Sequence, residues 1–156
     1  MTLEDIQGKA IVSLQEGERI GTAEDLLIDP VRLTATAVVL GGEPGQGLLP
    51  LEGIRSIGPD AITVESAGLV RWTTSQLKDE NGRLGENILS LTVVDEAGNV
   101  LGTGRCLDFA ADGKLQNIET HKGGVFGIGE QRIGISVDKI RSIGPKLITV
   151  HAPESA

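Results

Sequence analysis

Apolar residues in this chain fall in short runs broken by glycine, proline and charged pairs. Residues 9–14 form a short β-prone run, and Glu16-Gly17-Glu18-Arg19 is a turn. Residues 20–28 follow and end at Asp29-Pro30, a turn opener. In residues 33–40, alternation puts Leu33, Ala35, Ala37 and Val39 on one face, as a half-buried strand requires. Gly41-Gly42-Glu43-Pro44-Gly45-Gln46-Gly47 is a loop, and residues 48–50 are a strand edge. Next comes Ile54-Arg55-Ser56-Ile57-Gly58-Pro59, with Ile54 and Ile57 expected to point inward. Pro59 holds the second position of a type I or II turn, and Ile62 and Val64 begin a new buried alternation. Strands with turns at this spacing predict a small antiparallel barrel or sandwich. A barrel is favoured because closure removes exposed edges.

The pattern then recurs. The phrase IRSIGP stands at residues 54–59 and again at 140–145. Extended to LEGIRSIGPDAITVES (51–66) and VDKIRSIGPKLITVHA (137–152), it is identical at nine of sixteen positions. Upstream, GKAIVSL (8–14) aligns with GENILSL (85–91), and Ile20-Gly21-Thr22 with Leu101-Gly102-Thr103. These offsets imply insertions before Leu101 and again before Ile135, at hairpin tips. A long unit present twice reads as tandem domains rather than a solenoid. We assign a first domain to residues 1–67, a linker to 68–84 and a second domain to 85–156. The linker carries Trp72, expected to pack the two domains together.

Composition narrows the classes. Hydrophobic residues are 39% of the chain, enough for a core, and only Trp72, Phe109 and Phe126 are aromatic. The net charge is −8: residues 1–68 hold four Lys/Arg against eleven Asp/Glu, and residues 86–156 hold seven against nine. An acidic surface argues against direct nucleic-acid binding. One cysteine, Cys106, permits no internal disulfide. No run approaches a membrane span and the first residues are not a signal peptide, so the expectation is a cytoplasmic protein.

The unit GKAIVSLQEGERIGTAEDLLIDP through LPLEGIRSIGPDAITV resembles the PRC-barrel family, and residues 85–150 resemble a second member. The Ile-Gly or Leu-Gly pair after the first turn and the terminal IRSIGP-x-x-ITV carry the likeness. The second copy departs in having Ala110-Ala111 where the first has Asp29-Pro30. The resemblance implies an all-β chain of two tandem small antiparallel PRC-type barrels joined by a short linker. The family includes the cytoplasmic part of the photosynthetic reaction-centre H subunit and the C-terminal domain of a ribosome-maturation factor. What unites these is binding or assembly, so the resemblance brings no catalytic residues.

Arg55 and Arg141 suit an anion or partner contact, or a salt bridge within the barrel, for instance to Glu52 or Asp138; the salt bridge is preferred. His121 and His151 lack the tight multi-ligand spacing of a zinc site and read as exposed histidines. Cys106 reads as a packed thiol. Neither GGEPGQG (41–47) nor KGGVFGIGE (122–130) has a phosphate-loop signature. Phe126, at the tip of the second, is either an exposed contact or folded back. Glu16, Glu18, Asp95 and Glu96 read as solvated turn charges. Arg55, Arg141, Phe126 and Trp72 are therefore the candidate partner contacts, with no catalytic, metal or cofactor residue assigned. The expected function is a non-enzymatic scaffold or adaptor that binds a protein or itself; a small-molecule ligand is left open. The alternatives are a ribosome- or RNA-processing-associated factor and a photosynthetic or membrane-assembly accessory.

Overall fold

The structure is a computed structural model, and it describes residues 1–73, 83–122 and 131–151. The chain opens with the one-turn helix α1 (Leu3–Ile6), capped reciprocally by Thr2 and Asp5. Strands β1 (Ala10–Ser13), β2 (Glu18–Asp29), β3 (Thr34–Gly42), β4 (Gly45–Pro50), β5 (Ile54–Ile57), β6 (Ala61–Val64) and β7 (Arg71–Thr73) follow. The short β8 (Arg83–Leu84) leads into helix α2 (Gly85–Leu89). A second series comprises β9 (Thr92–Asp95), β10 (Val100–Phe109), β11 (Leu115–Lys122), β12 (Gln131–Ser136), β13 (Ile140–Ile143) and β14 (Leu147–Val150).

The chain is nearly all β, in two sheets that form two barrel-like units. The first sheet runs β5-β6-β1-β2-β3-β4-β7, with β8 added to β2; the second runs β12-β11-β10-β9-β14-β13. Neighbours are antiparallel except for one parallel pair in each unit, β1 with β6 and β9 with β14. Residues 71–73 and 83–84, expected in the linker, instead extend the first sheet: β7 pairs with β4, and β8 with the far end of β2.

Strand register sets the true correspondence between units. Ile11 pairs with Ile62 and Val93 with Ile148, so β1 corresponds to β9 at an offset of 82. GENILSL is therefore not the counterpart of GKAIVSL. Most of it is helix α2, and its Ile88 matches Ile6 of α1. The apolar spacing of that segment fits a strand and a short helix equally, and only pairing separates them. The counterpart of Leu26, paired with Val38, is Leu107, paired with Ile118. The first hairpin of the second unit is thus one residue shorter rather than longer. The extra length falls between β11 and β12, where Lys122 pairs with Gln131 while Gly42 pairs with Gly45.

A bulge corrects the alternation expected in β3. Leu27 pairs with Ala37 and Ile28 with Ala35, which leaves Thr36 extra. One extra residue flips every later side chain to the other face. Ala35, Val38 and Leu40 consequently join the main core, while Ala37 and Val39 pack with Leu48 in a separate cluster on the opposite face. Strand β11 has the same bulge at Gln116.

The two units share one hydrophobic core. Leu3, Ile6, Leu26 and Val38 of the first belong to the same cluster as Ile88, Leu107, Phe109 and Ile118 of the second. Their junction is reciprocal. The far end of β2 pairs with β8, Leu27 opposite Leu84; the far end of β10 takes Met1 and Thr2, with Phe109 donating to the Met1 carbonyl at 2.7 Å and Thr2 bridging to Asp108. Ala35 N–H donates to Gly113 O at 2.8 Å, and Leu115 N–H donates to Leu33 O at 2.9 Å. Positions 33 and 113, like 35 and 115, are 80 apart, so each bond is the image of the other. The units are related by an internal pseudo-two-fold through the bridge between Thr34 and Lys114.

Candidate functional site

The repeated phrase forms the same local structure twice. After the Gly-Pro turn, Gly58 N–H donates to Ala61 O at 2.9 Å and Gly144 N–H to Leu147 O at 2.8 Å. Ser56 pairs with Thr63 through their hydroxyls at 2.8 Å, and Ser142 with Thr149 at 2.5 Å. The isoleucines are less equal than the sequence implied. Ile143 is 6% exposed, but Ile57 is 37% exposed and does not enter the core.

Arg55 and Arg141 both make intra-unit salt bridges on exposed surface, to acids other than those expected. Arg55 reaches Glu65 at 3.1 Å. Position 65 corresponds to His151, so Arg141 turns to Glu96 at 3.1 Å, which also binds His151 Nδ1 at 2.8 Å. Exposed pairs of this kind contribute about 0–1 kcal/mol each. His121 Nε2 lies 3.2 Å from the Thr103 hydroxyl. Among the described residues, no group of three His, Cys, Asp or Glu is placed to hold a metal.

Trp72 packs on its own unit. Its ring lies over the backbone of the β3–β4 hairpin, where a Cβ on Gly42 would meet the ring at 2.6 Å and one on Gly47 at 3.0 Å. Val70, beside it, is buried in the core. The segment that delivers both is tied down by Glu16, which accepts from the Ser66 hydroxyl at 3.1 Å and from Ala67 N–H at 3.2 Å. Glu16 also takes a short hydrogen bond from the Ser13 hydroxyl, and these donors hold its carboxyl below the usual range. Asp95, the counterpart of Ser13, is buried and accepts from Ala97 N–H and Asn99 N–H, both at 2.9 Å. Asp95 is thus a buried turn anchor rather than a solvated charge, while Glu16 stays exposed, as expected, and anchors its turn as well. Phe126 lies outside the described residues.

Two sites at the junction escape sequence reasoning. Asp25 is buried where β2 meets α2, accepting from Leu26 N–H at 2.7 Å and Glu86 N–H at 3.3 Å. Burial, the leading cause, pushes its carboxyl up to about 6 despite those donors. Its counterpart is Cys106, half-buried, whose thiol is raised first by burial and then by Glu119 and other nearby carboxylates. A thiol held in that direction is a poor nucleophile. The bulges at Glu24 and Arg105, which turn both side chains toward the junction, leave no mark in a single sequence.

The outward faces of the two units differ sharply. The first buries Ala37, Val39 and Leu48 against Leu27 and Leu84. At the corresponding places the second has Asn117, Glu119, Gly134, Asp108 and Thr2, which line an open polar groove with Cys106 and Arg132. A second opening, between β10, β12 and β14, is apolar and lined by Leu101, Ile133, Ile135 and Val150.

A family model for the PRC-barrel domain matches residues 1–70. The match begins at Met1 and ends at Val70, so it takes in α1 through β6 and the turn that Glu16 anchors. No curated protein matches the chain. Among the described residues, no helix is long and apolar enough to cross a membrane.

Proposed function

We propose that this chain, whose first 70 residues match the PRC-barrel domain, is a non-catalytic scaffold or adaptor built from two PRC-type barrels. Membership of the second unit rests on its strand order, which repeats that of the first from β9 to β14, down to the parallel pair and the bulges. The observation that carries the function is the divergence of equivalent faces. Two copies of one fold are joined through a common core, and where the first buries Val39 and Leu48 the second opens Glu119 and Gly134 to solvent. Selection for fold alone would preserve the core and leave no reason for one copy to be closed and the other open. A rigid body with two different faces suits simultaneous contacts with other proteins.

The test is affinity capture of the tagged chain from its own cell extract, eluted by a salt gradient, followed by reconstitution of the captured protein with the purified chain. A reproducible one-to-one complex is expected, and its elution salt reports how far exposed charge contributes. A turnover activity abolished by a single substitution in the polar groove would sink the reading.

A further inference from the structure

The segment after β6 is held to the first barrel less firmly than the strands before it. Pairing between β1 and β6 continues past the strands themselves, with Leu14 N–H donating to Val64 O at 2.8 Å and Gln15 N–H to Glu65 O at 2.9 Å. Residues 66–73 then leave that ladder, turn once at Ala67–Leu69 and reach the outer edge of β4 as β7. Of these eight residues only Val70 is buried. The ladder with β4 spans three pairs, Gln46 with Thr73, Gly47 with Trp72 and Leu48 with Arg71. Among the described residues the second sheet has the same strand order in six strands, so that order does not require a seventh. A segment with one buried anchor at the end of a sheet belongs to the low end of the range of local stability.

The near end of the segment is fastened by one carboxylate. Glu16, in the β1–β2 turn, accepts from the Ser66 hydroxyl at 3.1 Å and from Ala67 N–H at 3.2 Å, and also from the buried Ser13 hydroxyl. It therefore ties the end of β1 to the start of the departing segment. At the corresponding turn of the second unit, Asp95 stands in the place of Ser13 and accepts from Ala97 and Asn99 of its own turn. We propose that residues 66–73 are a latched strap: they open as a unit from Ser66, with Glu16 as the latch, and uncover the outer edge of β4 and the place of Val70 while the rest of the barrel stays folded. In the closed form β7 occupies that edge, so no other strand can add to β4. The strap does not depend on the scaffold reading; it gives the first unit a surface that is hidden in the resting form. The closed form predominates, so opening is read by amide exchange.

The test is native-state amide hydrogen exchange of the full chain by two-dimensional NMR. In the natural protein, the protected amides of residues 67–73 should exchange at least about tenfold faster than the best-protected amides of β1, β2 and β6, and with one shared opening equilibrium. Glu16→Ala removes a contact that the opening breaks, so it should speed exchange of residues 67–73 by about tenfold. Ile143→Ala removes a buried contact in the second unit that the opening leaves intact. It should speed the core amides and leave residues 67–73 unchanged. Should the Glu16→Ala chain not fold, Ser66→Ala, which removes one of the two donors on the strap, takes its place. Exchange of residues 67–73 at the core rate would mean that they open only with the whole protein, and overturns the proposal. So does exchange that Glu16→Ala or Ser66→Ala leaves unchanged, or that Ile143→Ala speeds as much as it speeds the core.

Discussion

Thr34 and Lys114 bridge the two units at the point where the chain's internal symmetry maps each onto the other. On either side, Leu33 pairs with Leu115 and Ala35 with Gly113. An interface whose two halves are the same surface is the geometry of a symmetric dimer. Here both halves lie in one chain, so the interface is present at any concentration. The surfaces away from it are released from the demand that they be identical.

A shared core implies one unfolding transition. Phe109 is 1% exposed in the second unit, and it packs in the same cluster as Leu26 and Val38 of the first. Phe109→Ala should cost about 3–5 kcal/mol. Because Trp72 reports from the first unit, its fluorescence midpoint in urea should fall together with the far-ultraviolet circular dichroism midpoint. A Trp72 midpoint that stayed put would mean that the units unfold independently.

Asp25 gives the junction a pH dependence of defined sign. Its folded value of about 6 lies above the ordinary 3.8. The fold therefore favours the protonated acid; that contribution is full below about pH 4 and is lost as pH rises through 6. Asn keeps the carbonyl acceptor but never ionises. Asp25→Asn should match the natural protein near pH 4 and exceed it by about 1–2 kcal/mol at pH 7.5. Urea unfolding at the two pH values reads the difference; an equal gap at both would refute the assignment.

The small residue after the first turn is required by close approach. A Cβ on Gly21 would collide with the Gly41 carbonyl oxygen, and one on Gly102 with that of His121. Gly102 also sits at φ +125, which side chains rarely adopt. Gly102→Ala and Gly21→Ala should each destabilise by more than about 1 kcal/mol, with Gly102→Ala the worse. Denaturant midpoints of the two variants would reveal the order.

The identical phrase should respond unequally to identical changes. Ile143→Ala removes a buried side chain and should cost about 2–3 kcal/mol, while Ile57→Ala should cost less than about 1. Arg55→Ala and Arg141→Ala should each stay within about 1 kcal/mol, since both salt bridges are exposed. Chemical denaturation of all four variants tests the set, and equal costs at 57 and 143 would contradict the packing.

The sequence by itself determined the β class, the two units, the Gly-Pro hairpins with Ile62, Val64, Ile148 and Val150 buried behind them, and the intra-unit pairing of the two arginines. These are local properties: turn chemistry and two-residue alternation act within a few positions. Tertiary structure decided the rest. It made most of GENILSL a helix, flipped β3 at Thr36, drew residues 71–73 and 83–84 into the first sheet and brought Asp25 beside Glu86. Each of these depends on which strand lies alongside, a choice made by burial and register between residues far apart in the chain.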